Sequence, residues 1–126
     1  MKIIKTDKLP APAGSYSPAV SSGSMIYISG QLAIDTDSGE MSQGRIADQT
    51  MIIMDNITGF LNEQKLGAES IVKVSVYMTD LSLFSEFDRV YARYFENGYP
   101  ARVVAGVKAL PKDALIEMEV TVESGS

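Results

Sequence analysis

Residues 71–79 read IVKVSVYMT, and their alternation decides the fold. Val72, Val74, Val76 and Met78 fall on one side, with Lys73, Ser75 and Tyr77 on the other, the two-residue period of a strand buried on one face. Downstream, Asp80 or Ser82 caps a helix expected from about Leu83 to Glu96. Its buried stripe is Phe84, Phe87, Val90 or Tyr91, and Tyr94 or Phe95, and Gly98 and Pro100 stop it. Two strands follow, Arg102 to Val107 and Leu115 to Glu123, separated by Leu110-Pro111-Lys112-Asp113. Upstream, a helix is expected from Arg45 to Lys65, with Ile46, Thr50, Ile53, Ile57, Phe60 and Leu61 on one stripe, Met51 and Met54 in helix packing, and Gly67 as its stop. Before it come a polar turn, Asp35 to Gly39, and a strand, Met25 to Ser29, ended by Gly30. The Pro-, Gly- and Ser-rich opening precedes that first strand. The order predicts an α+β domain with both helices on one face of a mixed β-sheet. The unit from Ile71 to Val107 is expected to be parallel and right-handed.

The chain has 126 residues, within the range of a single domain, here expected over residues 1–126. It carries 16 Asp and Glu against 11 Lys and Arg, and no His, Cys or Trp. Without imidazole or thiol it cannot build a Ser-His-Asp or Cys-His nucleophile, nor ligate zinc, haem iron or an iron–sulfur cluster in the usual way. A hard cation held by oxygens is still allowed, but the downstream Glu pattern of a calcium loop is missing after Asp35. General acid–base work falls to Asp, Glu, Lys or Tyr. The net charge of −5 weighs against a nucleic-acid partner. Ile3 and Ile4 between lysines make no signal-peptide core, and Leu9 to Ile34 is broken by Pro and Gly, so neither a leader nor a membrane span is expected. The cytoplasm is the expected compartment.

Sorting the strands by alternation predicts a helix-facing set of Ile26, Ile28, Val72, Val74, Val76, Met78, Val103, Ala105, Val107, Ile116, Met118, Val120 and Val122. The opposite set is Tyr27, Ser29, Lys73, Ser75, Tyr77, Arg102, Val104, Glu117, Glu119 and Thr121. Two Tyr and a Val suit a half-buried surface, so self-association through this face is expected. Taken singly, Arg102 is an ordinary surface charge, and Glu117 and Glu119 are ion-pair partners or solvated carboxylates. Functionally, the Arg102 fork suits a carboxylate, and a shielded Glu can hold and polarise water. Tyr16 reads first as a packing residue in a loop, and Ser29-Gly30 as a strand end that can also expose backbone to a ligand.

Together these segments resemble the reactive-intermediate deaminase family (RidA, or YjgF, with older labels of translation inhibitor and ribonuclease). The resemblance rests on Ala13-Gly14-Ser15-Tyr16-Ser17, Tyr27-Ile28-Ser29-Gly30-Gln31, Val76 to Leu81, Pro100-Ala101-Arg102, and Leu110-Pro111-Lys112-Asp113 followed by Ile116-Glu117-Met118-Glu119. It implies a chorismate-mutase-like fold in a homotrimer, sheets facing inward and clefts between subunits. It also implies that Arg102 clamps a substrate carboxylate and Glu117 lies near the attacking water, while Tyr16 and the backbone at Ser29 and Gly30 complete the pocket, partly from the neighbouring subunit. The implied reaction is hydrolysis of 2-imino acids or their enamine tautomers to 2-keto acids and ammonium, with no cofactor.

The chain departs from that pattern at several positions. Val103 and Val104 replace a Ser or Thr and a small residue, Ala105 a larger aliphatic, and Ser15 a common Pro. Asp88 stands where many relatives have Asn, adding a carboxylate that can repel an anionic substrate. Val104, sharing a face with Arg102, is expected to make the pocket floor more apolar. Two other functions are weighed: the altered Val103-Val104-Ala105 stretch suggests a non-catalytic trimer that binds a small carboxylate and regulates a partner, and the family's older labels suggest RNA cleavage or translation inhibition. The acidic chain without His offers the latter no electrostatic funnel or imidazole pair.

Overall fold

The strand read first is the hub of the sheet. In the computed structural model, which describes residues 1–125, β4 (Ile71–Met78) pairs antiparallel with β6 (Ile116–Glu123) and parallel with β5 (Ala101–Gly106). β6 continues antiparallel to β3 (Met25–Gln31), then β2 (Ala19–Ser22) and β1 (Lys2–Ile4), giving one six-stranded mixed sheet in the order β1-β2-β3-β6-β4-β5. Two helices, α1 (Ile46–Glu63) and α2 (Phe84–Ala92), pack on one face. The α+β layout is as the alternation predicted, and β4 and β5 are parallel.

The core lies between that face and the helices. All six residues of the α1 stripe, Ile46, Thr50, Ile53, Ile57, Phe60 and Leu61, are buried against Val74, Val76, Met78, Met118 and Val120. Met54 is in the core too, whereas Met51 lies on the exposed side of the helix. The Asp80 carboxylate accepts from the Ser82 backbone N–H at 3.0 Å and opens the turn leading into α2. Gln49, buried on α1, ties the helix to the loop before β6. Its Oε1 accepts from the Leu115 N–H at 3.1 Å, and its Nε2 donates to the carbonyls of Ser42 and Gly44. Gln49→Ala strands a backbone donor, so a loss of about 1–2 kcal/mol in urea denaturation is expected.

Several boundaries differ from expectation, each for a local reason. β1 and β2 form inside the opening, where Gly23 (φ 59°) turns β2 into β3. Gly30 does not end β3 but lies within it, at a break in the β3–β6 register between Ile28 and Gln31. At the end of α1, Lys65 rather than Gly67 takes the left-handed conformation (φ 62°), and the Leu66 N–H closes on the Leu61 carbonyl as in a Schellman cap. α2 stops at Ala92, because Arg93, Tyr94 and Phe95 donate to carbonyls three residues back and the chain tightens. A register slip between Ile71 and Lys73 puts Ile71 in the core and leaves Val72 39% exposed.

The main correction concerns β5. Arg102 pairs laterally with Val74 and Val104 with Val76, so both lie on the helix-facing side. Val103 and Ala105 pair with Ser75 and Tyr77 on the open side. The sequence reading had this strand the other way round. Arg102 therefore does not share a face with Glu117 and Glu119, which pair with Tyr77 and Ser75 on the open side.

Candidate functional site

The expected site residues separate into two places. The first is a groove of about 550 Å³ on the open side of the sheet, where Tyr16, Ser29, Gly30 and Glu117 come together. The Ser29 N–H and hydroxyl donate to the carbonyls of Pro18 and Ser17 at 3.0 and 2.6 Å, anchoring the loop that carries Tyr16. The Tyr16 hydroxyl accepts from the Ala13 N–H at 3.3 Å, and its half-exposed ring lines the groove. Ser29 and Gly30 have no lateral partner in β6, because the β3–β6 register breaks between Ile28 and Gln31.

Glu117 occupies the space that the missing side chain of Gly30 leaves free. A Cβ at position 30 would lie 3.0 Å from the Glu117 Cδ and closer still to Oε2. Glycine here leaves room for the Glu117 carboxylate, which a larger residue would make shift. Partial burial, with the neighbouring Glu119 charge second, pushes the Glu117 carboxyl above its usual range. Glu119 accepts from the Tyr77 hydroxyl at 3.1 Å, which raises the Tyr77 pKa in turn.

The groove also includes residues that sequence reasoning did not single out. Gln31 is buried; its Nε2 donates to the Ser29 carbonyl at 2.9 Å, and its Oε1 has no partner. Lys112 brings a cation to the rim, and the backbone there is strained, with Lys112 at φ 59° and Asp113 at φ 57°. Leu110-Pro111-Lys112-Asp113 was the only sequence signal for it, and it marked a turn rather than a charge.

The second place is at the β5 edge. The Arg102 guanidinium sits over the rings of Tyr91, Phe84 and Phe87, at 4.9, 5.3 and 5.6 Å from their centroids. Its Nη1 pairs with Asp88 Oδ1 at 2.7 Å. A cavity of about 380 Å³ opens beside the pair, lined by Asp88, Tyr91, Ala92, Tyr99, Pro100 and Arg102. Val104 is not among its lining residues; it packs against the core, so the expected apolar floor is not formed by it. The spacing Phe84, Phe87, Asp88, Tyr91 puts the aromatic bed and the acid on one side of α2. The sequence reading took those rings as core alone.

One half-site offers an anion clamp, the other a partly desolvated carboxylate beside a break in the β3–β6 ladder. In a single chain they lie on opposite faces, with β4 between the strands that carry Arg102 and Glu117. The open face between them leaves Tyr27, Val103 and, on β1, Ile3 exposed by 46%, 47% and 58%. No helix among the described residues is long and apolar enough to cross a membrane.

Comparison with known proteins gives a consistent result. The family model described as Endoribonuclease L-PSP matches residues 6–124. A RutC family protein of Pyrococcus abyssi is 43% identical over 118 residues, 94% of this chain and 93% of its own. A bovine protein named 2-iminobutanoate/2-iminopropanoate deaminase is 39% identical over 124 residues, covering 98% of this chain and 90% of that one. Among solved structures, RidA from an Antarctic Psychrobacter superposes with a TM-score of 0.91 at 36% identity, over 98% of this chain and 99% of the other.

Proposed function

The chain belongs to the RutC/RidA family of the Endoribonuclease L-PSP model, and from that membership we propose that it is a cytoplasmic hydrolytic deaminase of reactive 2-imino acids and their enamine tautomers. 2-Iminobutanoate and 2-iminopropanoate are the substrates, and 2-keto acid and ammonium the products. The observation that carries the reading is the Glu117 carboxylate set against Gly30 with its pKa raised, at the break in the β3–β6 ladder. A carboxylate of raised basicity is a better acceptor of a proton from water than an ordinary one.

In this reading the protein assembles as a homotrimer through the open faces of its sheets, and each cleft takes the groove of one subunit and the β5 edge of the next. The exposed Ile3, Tyr27 and Val103 support such a contact. Arg102 holds the substrate carboxylate, and Tyr16 and the backbone at Ser29 and Gly30 shape the pocket around the imine. Glu117 accepts a proton as water adds to the carbon of the protonated imine and returns it to nitrogen; the C–N bond then breaks, the hydroxyl proton passes to the departing ammonia, and 2-keto acid and ammonium leave. The carbon is already electrophilic, so orientation and one proton carrier suffice, and no cofactor is called for.

The test couples the purified protein to a threonine dehydratase and follows 2-oxobutanoate release while an added amine competes for the imine. Faster release is expected; no acceleration over the uncatalysed rate overturns the reading. A second reading, a non-catalytic trimer that binds small carboxylates and regulates a partner, is favoured by the Asp88 carboxylate already seated on Arg102. Carboxylate binding by calorimetry with no imine turnover would select it.

A further inference from the structure

Asp88 changes what the Arg102 half-site can recognise. An arginine that clamps a lone carboxylate works best with both edges of its fork open. Here Asp88 Oδ1 takes Nη1 at 2.7 Å, and the Asp88 and Arg102 side chains are 44% and 24% exposed. The pair is formally neutral and faces a cavity of about 380 Å³. Tyr91, 2% exposed, borders the same cavity and seats the Arg102 guanidinium on its ring, its own hydroxyl being buried. The cavity therefore presents a cation and an anion side by side.

We propose that Asp88 makes this half-site select zwitterions over anions. A small 2-amino or protonated 2-imino acid sets its carboxylate on Arg102 and its N–H groups on Asp88. A 2-keto acid offers no donor in that place and meets the Asp88 charge uncompensated. The inference rests on the deaminase reading for its substrate and deepens it. The protonated imine is a zwitterion, with an iminium cation next to its carboxylate. Water adds across the carbon–nitrogen double bond, the C–N bond then breaks, and the positive charge leaves with ammonium. What remains is the 2-keto acid, a monoanion with no donor for Asp88, so the pair that holds substrate holds product more weakly. Asp88 is in this sense a specificity-determining residue.

Calorimetric titration of the full-length protein with 2-aminobutanoate and 2-oxobutanoate, before and after Asp88→Asn, tests the proposal. The wild type is expected to bind the amino acid about tenfold or more tightly than the keto acid. Asp88→Asn should abolish or reverse that ratio, chiefly by tightening 2-oxobutanoate about tenfold. Matched circular dichroism and gel-filtration profiles establish that both proteins are folded alike. An unchanged ratio, a wild type that prefers the keto acid, or binding of neither ligand by either protein overturns the proposal. Imine turnover with an unchanged ratio sinks selectivity and leaves the deaminase reading intact. A reversed ratio with no turnover does the opposite.

Discussion

Arg102→Ala lowers kcat/KM for 2-iminobutanoate hydrolysis by about 10²–10³-fold, the loss expected when one partner of a hydrogen-bonded charge pair is truncated. The guanidinium is the cation of its half-site, held on three aromatic rings and by Asp88. Removing it leaves the cavity with the Asp88 carboxylate alone, so the half-site changes from neutral to repulsive toward the substrate carboxylate. Arg102→Lys keeps the charge but loses the planar fork and its stacking, and should recover only part of the activity. Steady-state kinetics of the two variants checks this: equal activity in Arg102→Ala and wild type would remove the clamp from the mechanism.

Glu117→Gln has a comparable effect by a different route. It keeps the shape in the Gly30 cradle and removes the base, so kcat falls by about 10²-fold or more with KM little changed. In the wild type, activity should fall as pH drops through the Glu117 pKa, which burial and Glu119 hold above the ordinary carboxylate range. The stability consequence has a definite sign. A carboxyl whose folded pKa is raised favours the folded state most below its unfolded pKa, and that contribution is lost as pH rises through the folded value. At pH 7 Glu117→Gln should therefore melt at a slightly higher temperature than wild type, and this advantage should vanish below about pH 4. Scanning calorimetry at the two pH values, with a pH–rate profile, checks both signs. Lower stability at pH 7 together with full activity would show Glu117 to be a structural group.

The helices and the helix-facing side of β3, β4 and β6 were legible because a two-residue or 3.6-residue period is imposed wherever one side is buried. Edge strands carry less of that imprint. Residues 101–107 read ARVVAGV, with Val at both 103 and 104, so alternation had no purchase on which side turns inward. What decides it is tertiary: Phe84, Phe87 and Tyr91 on α2 make a bed for a cation, and Asp88 supplies its counter-charge. β1 and β2 were missed for a similar reason, being three and four residues long at the other edge. The groove was more accessible. Ser29-Gly30 and Glu117 were singled out from residue type and family pattern, but only the geometry gives glycine its reason, as the cradle for a carboxylate.

The placement of Arg102 and Glu117 on opposite faces makes the shared cleft the central claim. Co-expression of Arg102→Ala with Glu117→Gln under two affinity tags, with isolation of mixed assemblies by tandem purification, tests it most directly. Each variant alone is nearly inactive. In a cyclic trimer that holds both kinds of chain, a single cleft receives an intact Arg102 from one chain and an intact Glu117 from the next. Recovery of about one third of wild-type 2-iminobutanoate deaminase activity is the predicted result for such mixed trimers. Mixed assemblies as inactive as their two parents would contradict a site built from two subunits.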